Sequence, residues 1–199
     1  MVSVHSPDCL RLRNRQYPSS GKGTAMREVD LRADCSRCAA LCCVVLPFDQ
    51  SAAFGFSKAA GVPCRHLAPE NRCNIHSRLA DGFSGCVQFD CHGAGQRVTQ
   101  QVFGGQSWRD DPALAGPMEN AFRAMRKLHE AVLLLLEAAH LPLSPAQEQT
   151  RLNLIAALDP KRQRCEAELA AFETAPVLGD VRDFLATLRD TARVMQPHR

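Results

Sequence analysis

Cysteine is the residue in this chain whose number and spacing could do chemistry. There are 10, and eight of them fall between positions 35 and 91. The first block reads Cys35-Ser-Arg-Cys38-Ala-Ala-Leu-Cys42-Cys43. A Cys-x2-Cys pair sets two thiolates on one turn, where both reach a single ion and nearby backbone amides offset their charge. If the block turns helical, Cys35, Cys38 and Cys42 share a face, and Cys43 points about 100° away. The second block is looser: Cys64-Arg-His66, Cys73-Asn-Ile-His76, then Cys86 and Cys91-His92. Zinc takes four such ligands in a tetrahedron, and iron–sulfur clusters are likewise held by about four thiolates. The candidate metal ligands are therefore Cys35, Cys38, Cys42, Cys43, Cys64, Cys73, Cys86 and Cys91, with zinc or an iron–sulfur cluster as cofactor. Eight thiols suffice for two four-thiolate sites, or for one site with spare ligands and a resolving thiol. The two blocks are expected to converge on a shared centre, because the vicinal Cys42-Cys43 pair cannot easily aim both sulfurs at an ion already held by Cys35 and Cys38. Loop closure through such a centre would also order the stretch between Cys43 and Cys64. His66, His76 and His92 lie close to cysteines and read as surface or supporting side chains. Cys9 and Cys165 stand apart and are expected to bind nothing.

These residues carry a resemblance. CSRCAALCC, then PCRHL, RCNIH and GCVQF, resemble the YkgJ-type cysteine-cluster family, grouped as zinc- or iron-chelating proteins. Cys35, Cys38, Cys42, Cys43, Cys64, Cys73 and Cys86 match its cysteines, Ile75 its isoleucine, and Arg78 the arginine of its Arg-Pro pair. The chain departs in having three residues before the Cys-Cys pair, in His76 for tyrosine, in Leu79 for proline, in a longer run to Cys86, and in the extra Cys91. The run from RADCSRC through FDCHGAGQ to FGGQSWR is also similar to the N-terminal module of some actinobacterial pentapeptide-repeat proteins, although the repeats themselves are missing. Both resemblances imply metal binding and neither implies a settled activity. Flagellin-lysine methylases carry a related cysteine cluster, but this chain has no glycine-rich loop suited to a methyl donor.

The elements that must position the thiols fall into three zones. Residues 1–27 are polar, with Pro7, Pro18 and Gly21 and no periodicity, and read as a disordered leader; Met26 is a candidate true start. Residues 28–110 form the cysteine-rich module, with brief helical turns expected at 35–42 and 94–103 and an extended piece near 73–76. So little continuous apolar surface calls for a staple such as a metal. Residues 111–199 are helical. Met118, Phe122, Met125, Leu128, Val132, Leu135 and Ala139 recur at steps of three or four, one stripe of a long helix broken by Pro142. Ser144-Pro145-Ala146-Gln147 carries the signs of a capped helix start, Asp159-Pro160 repeats the signal, and Gly179 punctuates before Val181. The fold class expected is mainly α: an irregular, metal-stapled cysteine-rich module packed on an antiparallel helical bundle.

Composition narrows the function classes. A net charge of +3, with basic and acidic residues interspersed, gives no electrostatic case for nucleic acid or an anionic membrane. No apolar run approaches the roughly 20 residues of a bilayer span, and the N-terminus lacks the apolar core of a secretory signal. A cytoplasmic location is therefore expected, where thiols persist as metal ligands rather than disulfides. His92-Gly-Ala-Gly-Gln96 reads as a turn or helix start, since no strand precedes it and no Gly-Lys-Ser follows. Trp108, the single tryptophan, is expected to pack the module onto the bundle, and His129 to sit at a core edge. No residue is assigned to catalysis, and whether the chain is an enzyme stays open. The leading reading is a metal-binding accessory protein, structural or metal-handling, with a partner protein engaged through the helical region. The alternative is an iron–sulfur redox protein or oxidoreductase component.

Overall fold

A computed structural model describes residues 31–159, 164–172 and 175–189; the expected leader and the Met26 start lie outside them. The protein is mainly helical. Among the described residues no strand forms, and extended pairing is limited to isolated bridges, Phe48 with Lys58, Ser51 with Phe54 and Leu67 with Cys73. The described residues hold seven α-helices: α1 (Leu41–Val45), α2 (Ser84–Gln88), α3 (Ala94–Arg97), α4 (Ala115–Ala138), α5 (Pro145–Leu158), α6 (Glu166–Phe172) and α7 (Pro176–Thr187). A wider π turn, Val98–Val102, runs on from α3.

Helix α4 is the spine. It starts behind a short 3-10 turn, Pro112–Leu114, capped by the Asp111 carboxylate, which accepts from the Ala113 amide at 3.0 Å. Its apolar stripe is buried as the periodicity predicts, with Met118, Phe122, Val132 and Leu135 fully enclosed. The stripe ends on Ala138; Ala139 is exposed and serves as the C-cap. Ala139 follows the last helical residue, so it lies beyond the packed face where the chain turns away. On the polar face, Arg123 pairs with Glu119 and Arg126 with Glu130 one turn apart.

Two apolar clusters share this spine. Around its first half gather Leu41, Val45, Ala94, Val98 and Leu169; around its second half gather Leu158, Phe172, Val181 and Phe184. Each enclosed large side chain contributes about 1.5–3 kcal/mol. Helix α5 begins as its sequence predicts: the Ser144 hydroxyl accepts from the Gln147 amide, and the Gln147 side chain accepts from the Ser144 amide, a reciprocal capping box. Gly179 does not punctuate. It lies inside α7, whose start is set by Pro176 in the first turn, and one helical glycine costs only about 1 kcal/mol.

The cysteine-rich zone lacks such a spine. Its pieces are 3-10 turns, five-residue helices and bends, held in part by rings: Phe48 stacks on Phe54 with centroids 4.5 Å apart, and Phe56, His66 and Phe83 meet edge to face. Gly85 allows this packing, since a Cβ there would lie 2.2 Å from the Phe54 ring.

Candidate metal centre

The first cysteine block is not one helical face. Cys35–Arg37 form a 3-10 turn capped by Asp34, and the chain then breaks at Ala40, whose φ of 56° is left-handed. That break turns the Leu41 and Ala40 amides back onto the Cys38 sulfur, to which both donate. Left-handed backbone outside glycine costs about 1–3 kcal/mol and persists only where its surroundings demand it. The described non-glycine residues with positive φ are Ala40, Asn71 and His92, and each stands within two positions of a cysteine.

Turns of one kind present several of the thiols. The carbonyl of Cys64 accepts from Leu67, that of Cys73 from His76, and that of Cys91 from Ala94, at 2.9, 3.2 and 3.0 Å. The Ile75 amide donates to the Cys73 sulfur. Amides directed at sulfur favour thiolate over thiol.

The block around Cys35–Cys42 lies against α3 and its π turn. Gln100 donates to the Arg37 carbonyl at 2.8 Å, the Thr99 hydroxyl accepts from the Ala39 amide at 3.0 Å, and Trp108 Nε1 donates to the Ala39 carbonyl at 2.8 Å. Gln96 accepts from the Asp34 amide and donates to the Arg32 carbonyl. Trp108 thus packs against the first apolar cluster, as its sequence context suggests. At Gly95 a Cβ would lie 2.5 Å from Cys38 Sγ, so the helix and the sulfur meet only because that position is bare.

All eight predicted ligands are free thiols; Cys35 and Cys86 are exposed and the other six half-buried. Cys42 Sγ and Cys43 Sγ are 3.9 Å apart. Their hydrogen bond, with Lys58 nearby, holds Cys43 down at about 7, and the same bond together with burial drives Cys42 far up. Burial pushes Cys38 and Cys86 to about 11 and raises Cys35 and Cys73. Several of these groups also raise one another by like-charge repulsion. Cys91 acts on Cys35, Cys38 and Cys42, while Cys64 acts on Cys73 and Cys86. Such a set carries one thiolate easily, whereas four together need a cation.

A buried lysine stands near Cys42, Cys43 and Cys64, and burial lowers its pKa from the ordinary range. Lys58 is 6 % exposed, and its ammonium donates to the carbonyls of Val44, Ala59 and Val62 at 2.8, 3.1 and 2.9 Å. The anionic groups acting on it are Cys64 first, then Cys43 and Cys42, ahead of Glu119. Nothing in the sequence pattern marked Lys58; the signal available was a lone lysine in the short apolar stretch between two cysteines.

Among the described residues, no three Cys, His, Asp or Glu side chains stand in a ready-made metal-holding geometry. The thiols are not closed on a common point. His66 is occupied by ring contacts with Phe56 and Phe83, His76 is exposed on a 3-10 turn, and the His92 imidazole faces Asp90 at 3.8 Å. His129 is fully enclosed rather than at a core edge. Its ring bonds the His92 carbonyl and the Arg97 guanidinium, and Arg97 pairs with Asp159, so a polar chain ties α3, α4 and the end of α5 together. Cys9 lies outside the described residues. Cys165 precedes α6, is buried, and is disulfide-bonded, unlike the eight clustered thiols.

No family model matches the chain, and no solved structure matches it. Over 110 residues it is 46% identical to "Uncharacterized protein YybG" of Bacillus subtilis (strain 168), which covers 55% of this chain and 39% of that protein. The chain thus matches well under half the length of this curated relative.

Proposed function

We propose that the protein is a metal-binding cysteine-cluster protein, holding zinc or an iron–sulfur cluster in a site that is structural or serves metal handling. One observation carries this reading: two separated stretches supply eight unoxidised thiols, left-handed residues stand beside several of them, and the enclosed Lys58 ammonium lies near Cys42, Cys43 and Cys64. A reservoir of inert thiols needs neither amides aimed at sulfur nor a cation buried at its edge. The donor set fits the group. Soft thiolates suit zinc and iron–sulfur centres, and four of them round a divalent ion leave a net negative charge that Lys58 offsets. Residues Cys35, Cys38, Cys42, Cys43, Cys64, Cys73, Cys86 and Cys91 would hold the metal, stapling the irregular zone onto helices arranged as an antiparallel bundle. The eight free thiols fit a reducing, cytoplasmic setting, with the disulfide at Cys165 the exception among the described cysteines. No helix among the described residues is long and apolar enough to cross a membrane.

The exposure of Cys35 and Cys86 favours a second reading, an iron–sulfur redox centre, since sulfur at the surface gives electrons a short path. Elemental analysis and an absorption spectrum of anaerobically purified protein separate the two. A colourless, redox-silent zinc protein supports the first and a brown, reducible one the second; a metal-free chain refutes both.

A further inference from the structure

The helical half carries a second apolar face that its own core does not use. Leu135 of α4 is fully enclosed, but Leu134 beside it is 52 % exposed. Leu134 lies one turn from Ala131, on the side of the helix that also bears Lys127 and Glu130. Helix α7 packs alongside α4, and its Leu178, Val181 and Leu185 recur at steps of three and four, one apolar stripe. Val181 is enclosed, whereas Leu178 and Leu185 are only partly buried. Between the two helices these side chains line an open groove of about 360 Å³.

The floor of the groove is apolar and its α7 edge is basic. Arg182 and Arg189 line that edge and are exposed. Arg182 meets Asp183 at 3.3 Å, but both side chains stand well out in water, where such a pair is screened and holds little. The acid in the lining is Glu130, and its carboxylate is taken by Arg126 at 2.5 Å, a residue outside the groove. An apolar seam with arginines along one side is the complement of a helix that carries leucine-like residues on one face and carboxylates beside them.

We propose that the groove between α4 and α7 docks an acidic amphipathic helix of a partner protein. The partner's apolar face lies on Ala131, Leu134, Val181 and Leu185, and its carboxylates meet Arg182 and Arg189. A second copy of this chain is the poorer occupant, because seating the same face on itself brings the arginines of both chains to one interface. A flat anionic membrane meets the arginines but leaves the floor between the helices unfilled. The inference goes beyond the metal-binding reading and does not depend on it, since no cysteine lines the groove.

The test uses the full chain and a displayed library of helices with a fixed leucine seam, in which each flanking position is Glu or Lys. Selection on wild type should enrich Glu over Lys at the flanks. A selected acidic helix, made as a peptide of roughly 18 residues so that it holds its helix in water, should bind saturably and more weakly as salt rises. Leu134→Gln and Arg182→Glu should each weaken it about tenfold with the helical signal of the protein unchanged. Val87→Gln, at an exposed apolar residue outside the groove, should leave it unaltered. A library that shows no preference or prefers Lys, or an affinity that Leu134→Gln does not move, overturns the proposal. Self-association of wild type that Leu134→Gln dissolves overturns it in favour of a second copy. Binding to phosphatidylserine vesicles that both substitutions abolish, with no helix selected, overturns it in favour of a membrane.

Discussion

Between Cys35 and Cys91 the longest regular elements are two five-residue helices, whereas the region that follows is built on a single 24-residue helix. The contrast is one of what each region can bury. Helix α4 encloses a complete apolar stripe and recruits α5, α6 and α7 against it. Between Cys35 and Cys91 the enclosed apolar side chains are small or few, among them Ala39, Leu41, Val44, Val45 and Ala68, and the rest of that stretch relies on ring stacking, turn hydrogen bonds and half-buried sulfur. Apolar periodicity is a sufficient reason for the second region to fold. It is not a sufficient reason for the first, which is why ligand bonds are assigned so large a share of its stability.

The largest effect that can break this contrast is metal removal. Ligand bonds at a structural zinc site contribute on the order of 10 kcal/mol near neutral pH. Chelation should therefore release amide protection across residues 35–91 while the helical signal of α4, α5 and α7 persists. Unchanged protection in the stripped protein would place the stability of the first region in its packing.

Smaller in size is a pH effect at the junction. Burial, opposed by its bond to the His92 carbonyl, holds His129 at about 4, below the ordinary imidazole value of 6.5. The unfolded chain then binds more protons than the folded one between those values. The contribution is fully present above pH 6.5 and is lost as pH falls through 4, about 3 kcal/mol in all. Urea midpoints measured from pH 7 to 4 should fall more steeply in wild type than in His129→Gln; parallel curves would remove His129 from the account.

Smaller again, Gly95→Ala would place a Cβ 2.5 Å from Cys38 Sγ. Displacing a supporting group around a ligand weakens metal binding about 10–100-fold, so competition with a chelator should show a loss of that order with helix content unchanged. Equal affinity would mean that Cys38 is not a ligand. At the bottom of the scale, Ser144→Ala removes one half of the capping box and should cost about 1 kcal/mol. The loss should appear in thermal melts of the helical signal and leave metal content untouched, since the capping box lies at the start of α5, at the opposite end from the Arg97–Asp159 link.

How far each region could be read from its residues follows the same contrast. The stripe of α4, the box at Ser144 and the turn at His92-Gly93 depend on neighbours within a few positions, and the structure has them. Gly179 misleads because a glycine signals a break only where no proline has already set the helix start. The turns of the cysteine zone were harder. The left-handed Ala40 has no residue-type signature, and the approach of α3 to Cys38 depends on contacts some sixty positions apart, such as Thr99 with Ala39. Lys58 draws its meaning from Val44 and Val62, which only the fold brings to it.

The central claim is that the cysteine zone is held by metal through its thiolates. Counting reactive thiols with a chromogenic disulfide reagent under native conditions, beside elemental analysis of the same anaerobic sample, tests it most directly. The account predicts stoichiometric zinc or iron, with the eight clustered thiols protected until a chelator or acid releases the metal. A metal-free protein in which Cys35, Cys86 and their six companions react at once would contradict it.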